Sequence, residues 1–279
     1  MNIFEILKAI FLGIVEGITE WLPVSSTGHM ILFDEFVKLN VSDAFKELFF
    51  VVIQLGAILA VLVLFFGKLN PFSNSKTQEE KKSTLTLWLK VIVGAIPAAI
   101  IGFLFDDLLD EYLYRSEIIA VALIVYGIAF IVIEWARGKS GRDYRVKSVD
   151  EITYVDALKI GAFQILSLVP GTSRSGSTIL GGMLCGVNRT ASAEFSFFMA
   201  IPIMLGASGL KVLKYLVEGN IPSIPEICYL LIGMAVAFAV SMLVIKFLMD
   251  FVKKHTFASF GVYRIVLGIV VIAYFALNA

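Results

Sequence analysis

Charge is what this chain has least of. Lys, Arg, Asp and Glu make up 16% of its 279 residues, whereas a soluble domain carries about a quarter. Too little polar surface is left to cover a soluble globule. Positive charge is not in excess either: 23 Lys and Arg balance 23 Asp and Glu, so the basic footprint that nucleic acid requires is missing and no nucleic-acid partner is expected. Cysteine is scarce. Cys185 and Cys228 have no CxxC spacing, which excludes a disulfide framework and a zinc ribbon and leaves both expected as buried small hydrophobes. The N-terminus lacks a basic region followed by an Ala-x-Ala site, so no removable signal peptide is expected. A GxxxxGK[ST] string is also missing, which removes the P-loop nucleotide enzymes.

Apolar runs stand where the charge is missing. Residues 49–66, 91–105, 118–135, 195–210, 228–248 and 262–277 are nearly uninterrupted hydrocarbon, and mean hydropathy is +0.88. With their flanks, these runs approach the roughly 20 residues that a bilayer-spanning helix needs. The expected fold class is all-α, a polytopic membrane helical bundle with residues 1–279 as one integral membrane domain. Three loops are basic: residues 68–90 with Lys76, Lys81 and Lys82, residues 136–151 with Arg137, Lys139, Arg142, Arg145 and Lys147, and Lys253-Lys254 beside His255. The alternate loops are acidic, with Asp106, Asp107, Asp110 and Glu111 in one and Glu218 and Glu226 in another. Basic loops stay cytoplasmic. Placing all three inside gives a consistent alternation and an outside C-terminus.

The chain also repeats itself. Gly13, Glu16, Ser25, Ser26 and Gly28 recur at one spacing as Gly161, Gln164, Ser173, Arg174 and Gly176. Phe49-Phe50 and Leu55-Gly56-Ala57 are echoed by Phe197-Phe198 and Leu205-Gly206-Ala207. Two matches in the same order point to duplication, with repeats covering about residues 1–135 and 152–279. Each half has three full spans after its polar motif, and an odd number turns the second copy upside down. That is the inverted-topology repeat, which places paired sites near the bilayer midplane. The segments carrying the motifs, about 3–38 and 152–188, are broken by Pro and Gly. They read as re-entrant helix pairs, the first entering from outside and the second from inside. Irregular backbone at that depth must be buried in protein or line a polar cavity. If each pair crossed fully, the count would rise to about ten spans.

The first motif is Glu16-Gly17-Ile18-Thr19-Glu20-Trp21-Leu22-Pro23-Val24-Ser25-Ser26-Thr27-Gly28-His29. Glu16 and Glu20 are four apart and share a helix face. Like charges at that spacing repel, and ionised groups in a membrane are costly. The pair therefore needs a cation, which leaves a divalent metal, an arginine or a shared proton. An exposed helix end is the plainer alternative, but the apolar flanks Ile14, Val15, Ile18, Trp21 and Leu22 speak against it. Pro23 disfavours helix at Leu22. Ser25, Ser26 and Thr27 then precede a new apolar run, which is N-cap chemistry. A helix N-terminus is equally an anion site. Ser25 is the better placed to cap. Ser26, which aligns with Arg174, is expected to face a central site, with His29 beside it as a candidate general acid or base.

The second motif is Pro170-Gly171-Thr172-Ser173-Arg174-Ser175-Gly176-Ser177-Thr178. Its hydroxyls, backbone N–H groups and bidentate arginine can wrap phosphate oxygens. Gly171, Thr172, Ser173, Ser175, Gly176 and Thr178 are candidate substrate-binding positions, joined by Ser25 and Thr27 from the first motif. A plain Ser/Gly linker would sit in a hydrophilic stretch. This string lies between apolar runs, where an arginine needs an anionic partner. Elsewhere the expectations are bland. Gln54 should make an interhelical hydrogen bond, and Trp21, Trp88 and Trp135 should form an interfacial belt. Tyr263 and Arg264 should snorkel at a span end, and His255 should be solvated.

Together the two strings resemble the undecaprenyl-diphosphate phosphatase family, also called bacitracin-resistance proteins, over essentially the whole chain. The resemblance implies hydrolysis of a polyprenyl diphosphate lipid to its monophosphate, recycling the carrier for peptidoglycan and cell-wall synthesis and conferring bacitracin resistance. It implies a bacterial inner-membrane, multi-pass enzyme with its active site open to the periplasmic face, and a divalent cation, Mg2+ or Ca2+. The family's acidic motif falls on Glu16 and Glu20, which would hold the metal in part, with His29 or a glutamate, Glu20 among the catalytic candidates, as the base that assists Ser26. Its serine and histidine fall on Ser26 and His29, and its arginine on Arg174. Ser26, His29 and water remain open as nucleophile. Lipid phosphatases of phosphatidic-acid type use a second histidine, and only His255, in a basic loop, is available. The competing class is a transporter or flippase, since inverted repeats with broken helices are common there. The oligomeric state is left open, a homodimer included.

Overall fold

A computed structural model describes residues 2–34, 36–113, 115–140 and 143–278. Arg142 of the second basic loop, and the side chains of Asp106, Asp107, Asp110 and Glu111, lie outside the described residues. The described chain is helical, and its only strand-like pairing is the isolated bridge between Val146 and Val187. In order the helices are α1 (Ile3–Thr19), α2 (Ser26–Asp34), α3 (Asp43–Val52), α4 (Gln54–Leu64), α5 (Phe66–Leu69), α6 (Gln78–Leu113), α7 (Ser116–Ser140), α8 (Tyr154–Ile165), α9 (Arg174–Leu184), α10 (Arg189–Val217), α11 (Ile224–Lys254) and α12 (Ala258–Asn278).

Six of these segments are long and apolar enough to cross a membrane: Asp43–Leu64, which joins α3 to α4, Gln78–Phe105, Glu117–Lys139, Arg189–Val217, Ile224–Lys254 and Ala258–Leu277. Each matches one apolar run of the sequence. The two polar motifs lie outside these spans, at the breaks between α1 and α2 and between α8 and α9.

Small residues let the motif helices approach the spans closely. α1 packs along α11, and α8 packs along α6. A Cβ on Gly13 would stand 2.6 Å from the Gly233 carbonyl oxygen, and one on Gly161 only 2.2 Å from that of Gly94. Such backbone contact is how helices associate where lipid removes the hydrophobic drive. α7 and α12 pack on each other in the same way. A Cβ on Gly127 would meet the Gly261 carbonyl at 2.7 Å, and one on Gly268 the Ala120 carbonyl at 2.8 Å. The motif helix of each half therefore rests on a span of the other.

Polar ties close the two ends of the bundle. At one end, Lys68 pairs with Glu194 at 2.8 Å and Lys90 donates to the Asp150 carbonyl at 3.0 Å. Arg145 meets Asp156 at 2.5 Å, and Arg189 grips Glu134 through Nε at 2.8 Å and Nη2 at 2.5 Å. The same Glu134 accepts the Phe257 N–H at 2.9 Å. All three basic loops thus share this end. At the other, Glu5 accepts the Asn40 N–H at 2.8 Å, Lys46 pairs with Asp34 at 3.1 Å and Lys211 with Glu47 at 2.7 Å.

Four bland expectations fail. Trp21 is fully buried, edge-on to Phe197 at 5.2 Å, and belongs to no belt, whereas Trp135 is exposed as expected. Gln54 opens α4 and, among the described residues, reaches the Phe50 carbonyl at the end of the adjoining α3, at 3.5 Å. Its helix breaks at Ile53, so the amide serves that break rather than a neighbouring helix. Cys185 and Cys228 are half-buried, not buried. Arg264 does not snorkel but is completely buried. His255 is exposed, stacked on Phe251 at 4.6 Å.

Candidate active site

The two motif loops meet at the centre of the molecule. α1 ends at Thr19, and Glu20 continues in helical geometry, its N–H bonded to the Glu16 carbonyl at 3.0 Å. Both carboxylates are buried, Glu16 at 1% and Glu20 at 4% exposure. Each Glu20 oxygen has a partner from a different loop. Oε2 accepts the Ser26 hydroxyl at 2.5 Å, and Oε1 accepts Arg174 Nη2 at 3.0 Å and Nε at 3.3 Å. Arg174 also donates through Nη1 to the Ser196 carbonyl at 2.7 Å, and its guanidinium lies 5.7 Å from the Trp21 ring centre. An arginine is therefore the cation that answers Glu20. Glu16 Oε1 is buried without a hydrogen-bond partner among the described residues.

The loops share one local design. Ser25 and Ser173 have φ values of 75° and 76°, in the left-handed region, where a non-glycine residue is strained by about 1–3 kcal/mol. Each then caps the helix that follows. Ser25 Oγ accepts the Gly28 N–H at 3.2 Å and Ser173 Oγ the Gly176 N–H at 3.0 Å. The turn sends the next residue, Ser26 in one loop and Arg174 in the other, to Glu20. Replacing Ser25 with alanine removes the cap but keeps the strain and is expected to cost about 1 kcal/mol. Glycine removes both and should melt above the alanine variant by an amount worth about 1–3 kcal/mol. Thermal unfolding in detergent measures this, and equal melting of the two variants would show the turn to be unstrained.

The other candidate residues divide. The Ser175 hydroxyl donates to the Glu20 and Leu22 carbonyls, at 3.1 and 3.2 Å, tying one loop to the other. Thr178 is held by the Arg174 carbonyl at 2.9 Å and by Ser196 Oγ at 2.6 Å. Both hydroxyls are thereby committed to the fold. Thr172 and Ser173 are buried and Thr27 is half-buried on the first turn of α2. Gly171 has φ +90°, and a Cβ there would meet the Ile119 carbonyl at 2.5 Å.

Both ring nitrogens of His29 are engaged by partners other than Ser26. Its Nδ1 lies 2.7 Å from the Ser25 carbonyl, which can only accept, so Nδ1 carries the hydrogen. In the neutral ring Nε2 then accepts from the Tyr263 hydroxyl at 2.7 Å, with the rings parallel to within 2°. Three residues of this centre were missed by sequence reasoning. Ser196 and Tyr263 gave no signal. Arg264 did: it lies almost two turns into α12, too deep for a span end, and a charge there should have been read as a site residue.

The fold and the site define a membrane-embedded protein whose ionisable centre is assembled from two broken helix pairs. The family described as bacitracin resistance protein BacA matches residues 9–270, and the chain belongs to it. It is 58% identical over 274 residues to a protein named undecaprenyl-diphosphatase from Enterococcus faecalis, covering 98% of both chains. It is 56% identical over 277 residues to an undecaprenyl-diphosphatase of Desulfitobacterium hafniense, covering 99% of this chain and 98% of that one. An undecaprenyl-diphosphatase 1 of Clostridioides difficile is 57% identical over 276 residues, with 99% and 98% covered.

Proposed function

We propose that this chain hydrolyses undecaprenyl diphosphate to undecaprenyl phosphate and inorganic phosphate, returning the carrier lipid to cell-wall synthesis and so conferring bacitracin resistance. The observation that carries the reading is the Ser26–Glu20–Arg174 relay, in which a buried carboxylate accepts a serine hydroxyl at 2.5 Å while an arginine holds its other oxygen at 3.0 Å. A nucleophile bonded to a base that a third group orients is the arrangement of covalent catalysis.

Ser26 Oγ attacks the terminal phosphorus and its proton passes to Glu20 Oε2. The anhydride P–O bond breaks, undecaprenyl phosphate leaves carrying that proton from Glu20, and the phosphoryl group stays on Ser26. Water then attacks that phosphorus, gives a proton through Glu20 back to Ser26, and phosphate departs. Arg174 sits where it balances the carboxylate at rest and the transferring phosphoryl oxygens during reaction. The turns at 171–176 and 25–27 would supply backbone N–H groups, and Thr27 its hydroxyl, to the remaining oxygens. His29, whose acceptor nitrogen faces Tyr263, takes no part in activating Ser26. It remains available to the attacking water once the tyrosine hydroxyl gives way.

The residues fit a divalent cation, Mg2+ or Ca2+, in part. Glu16 Oε1 is a buried, unpartnered, hard oxygen, whereas both oxygens of Glu20 are engaged. Among the described residues no cluster of three or more His, Cys, Asp or Glu gathers. Glu16, with Glu20 at its edge, would hold the ion, and phosphate oxygens and water would complete its shell, as Mg2+ commonly requires. Such an ion supplies neutralisation of phosphoryl charge.

An apolar groove of about 420 Å³ runs along Ile118, Val121, Ala122 and Val125 of α7, past Leu166 and Val169, to Thr172. It suits the prenyl chain beside the phosphate loop. The matched turns and the exchanged packing of α1 on α11 and α8 on α6 support an inverted duplication with re-entrant motif pairs. Gathering the basic loops at one end supports a cytoplasmic placement of that end in the inner membrane, with the site reached from the periplasmic face.

A transporter of a phosphorylated lipid is the other reading that such a fold allows. Purified protein in detergent micelles, where transport has no meaning, should release inorganic phosphate from undecaprenyl diphosphate. Binding without phosphate release would favour the transporter.

A further inference from the structure

We infer that Arg264 is a positioning residue that fastens the two strained turns to each other, so that Ser26 and Arg174 leave separate loops and reach one carboxylate. The inference rests on the hydrolase reading above. Arg264 is fully buried in α12, and among the described residues, unlike Arg145, Arg174 and Arg189, it is paired with no carboxylate. Its hydrogen bonds go to backbone oxygens: Nη1 donates to Pro23 at 3.0 Å, Nη2 to Gly171 at 2.7 Å and Thr172 at 2.9 Å, and Nε to Leu123 at 3.4 Å. The ring of Tyr126 covers its face at 5.6 Å.

Three of these oxygens come from the two motif loops, and their positions matter. Thr172 immediately precedes Ser173, and Pro23 lies two residues before Ser25, the two positions of positive φ. Strained backbone persists only where its surroundings over-determine it. Carbonyl oxygens brought together from two loops repel unless a donor stands between them. A planar guanidinium with five N–H groups can serve all of them at once, whereas an ammonium is a compact point charge without the fork. The first turn of α9 rests on the same group, since a Cβ on Gly176 would lie 3.2 Å from Arg264 Nη1. A side chain from a third element therefore joins the direct Ser175 and Arg174 ties in setting the register between the loops.

The test uses full-length protein in detergent, with Arg264→Lys and Arg264→Gln made together so that one folded variant suffices. Amide hydrogen exchange needs no substrate, and so stands or fails apart from the hydrolase reading. Exchange should quicken at least tenfold in both 24–29 and 171–177, with the later turns of α12 unchanged. Turnover of undecaprenyl diphosphate by Arg264→Lys should fall at least thirtyfold at saturating substrate, with KM moved less than threefold, because misplaced groups fail mainly in the transition state. In Arg264→Ala, millimolar guanidinium should recover at least tenfold in turnover where equal sodium chloride does not. Faster exchange confined to α12 or to one loop, or turnover by the lysine variant within threefold of the parent, would overturn the inference.

Discussion

Ser26→Ala is expected to abolish phosphate release while leaving a folded protein. The expected loss is three orders of magnitude or more, about 4 kcal/mol of barrier, because the proposed mechanism makes the serine the attacking oxygen, and its hydroxyl is the one that, among the described residues, bonds Glu20 Oε2, at 2.5 Å. The fold should survive. Glu20 keeps Arg174 on its other oxygen, so removing one hydrogen bond to a charged group costs about 1.5–3 kcal/mol. Glu20→Gln should approach the same loss by another route, since an amide keeps the shape but cannot take the proton. Ser25→Ala should keep most of its activity, because Ser25 acts on the helix that carries Ser26. Turnover and melting temperature of the three variants check this. An active Ser26→Ala with a dead Ser25→Ala would exchange the roles of the two serines.

Arg174 gives the second large effect, and lysine and alanine separate its two duties. Lysine keeps a positive charge beside Glu20 but loses the fork that holds Glu20 and the Ser196 carbonyl together. Arg174→Lys should fold normally and lose at least about tenfold in turnover, roughly 1.4 kcal/mol. Arg174→Ala leaves the buried Glu20 carboxylate without its cation, beside the buried Glu16. Breaking a buried pair from one side costs about 3–5 kcal/mol, so this variant should melt well below the parent as well as being inactive. Turnover near that of the parent in Arg174→Lys would reduce the residue to a neutralising charge.

Much of this was legible in the sequence, for physical reasons that differ by residue. The six spans could be read because lipid demands long apolar runs, and no other pattern produces them. The two loops could be read because hydroxyls and an arginine between such runs need a purpose. The like-charged pair Glu16 and Glu20 announced a missing cation, but spacing could not say which. The structure gives Arg174 to Glu20 and leaves one oxygen of Glu16 open. His29 could be read as a polar residue beside the motif, but adjacency along a helix says nothing of where a ring nitrogen points. Its hydrogen is fixed by the Ser25 carbonyl and its lone pair by a tyrosine 234 residues away in the chain. Trp21 and Arg264 were misread for a shared reason: rules for the membrane interface were applied to residues that tertiary packing carries inside. The paired positive φ of Ser25 and Ser173 had no sequence signal, since glycine is the residue that such backbone normally selects.

The central claim is that Ser26, with Glu20 as its base, takes the phosphoryl group before water does. The stereochemical course at the terminal phosphorus tests it most directly. With undecaprenyl diphosphate made chiral there by oxygen isotopes and sulfur, two successive in-line displacements, at Ser26 and then at the phosphoserine, predict net retention in the released thiophosphate. Net inversion would mean a single attack by water and would contradict the account.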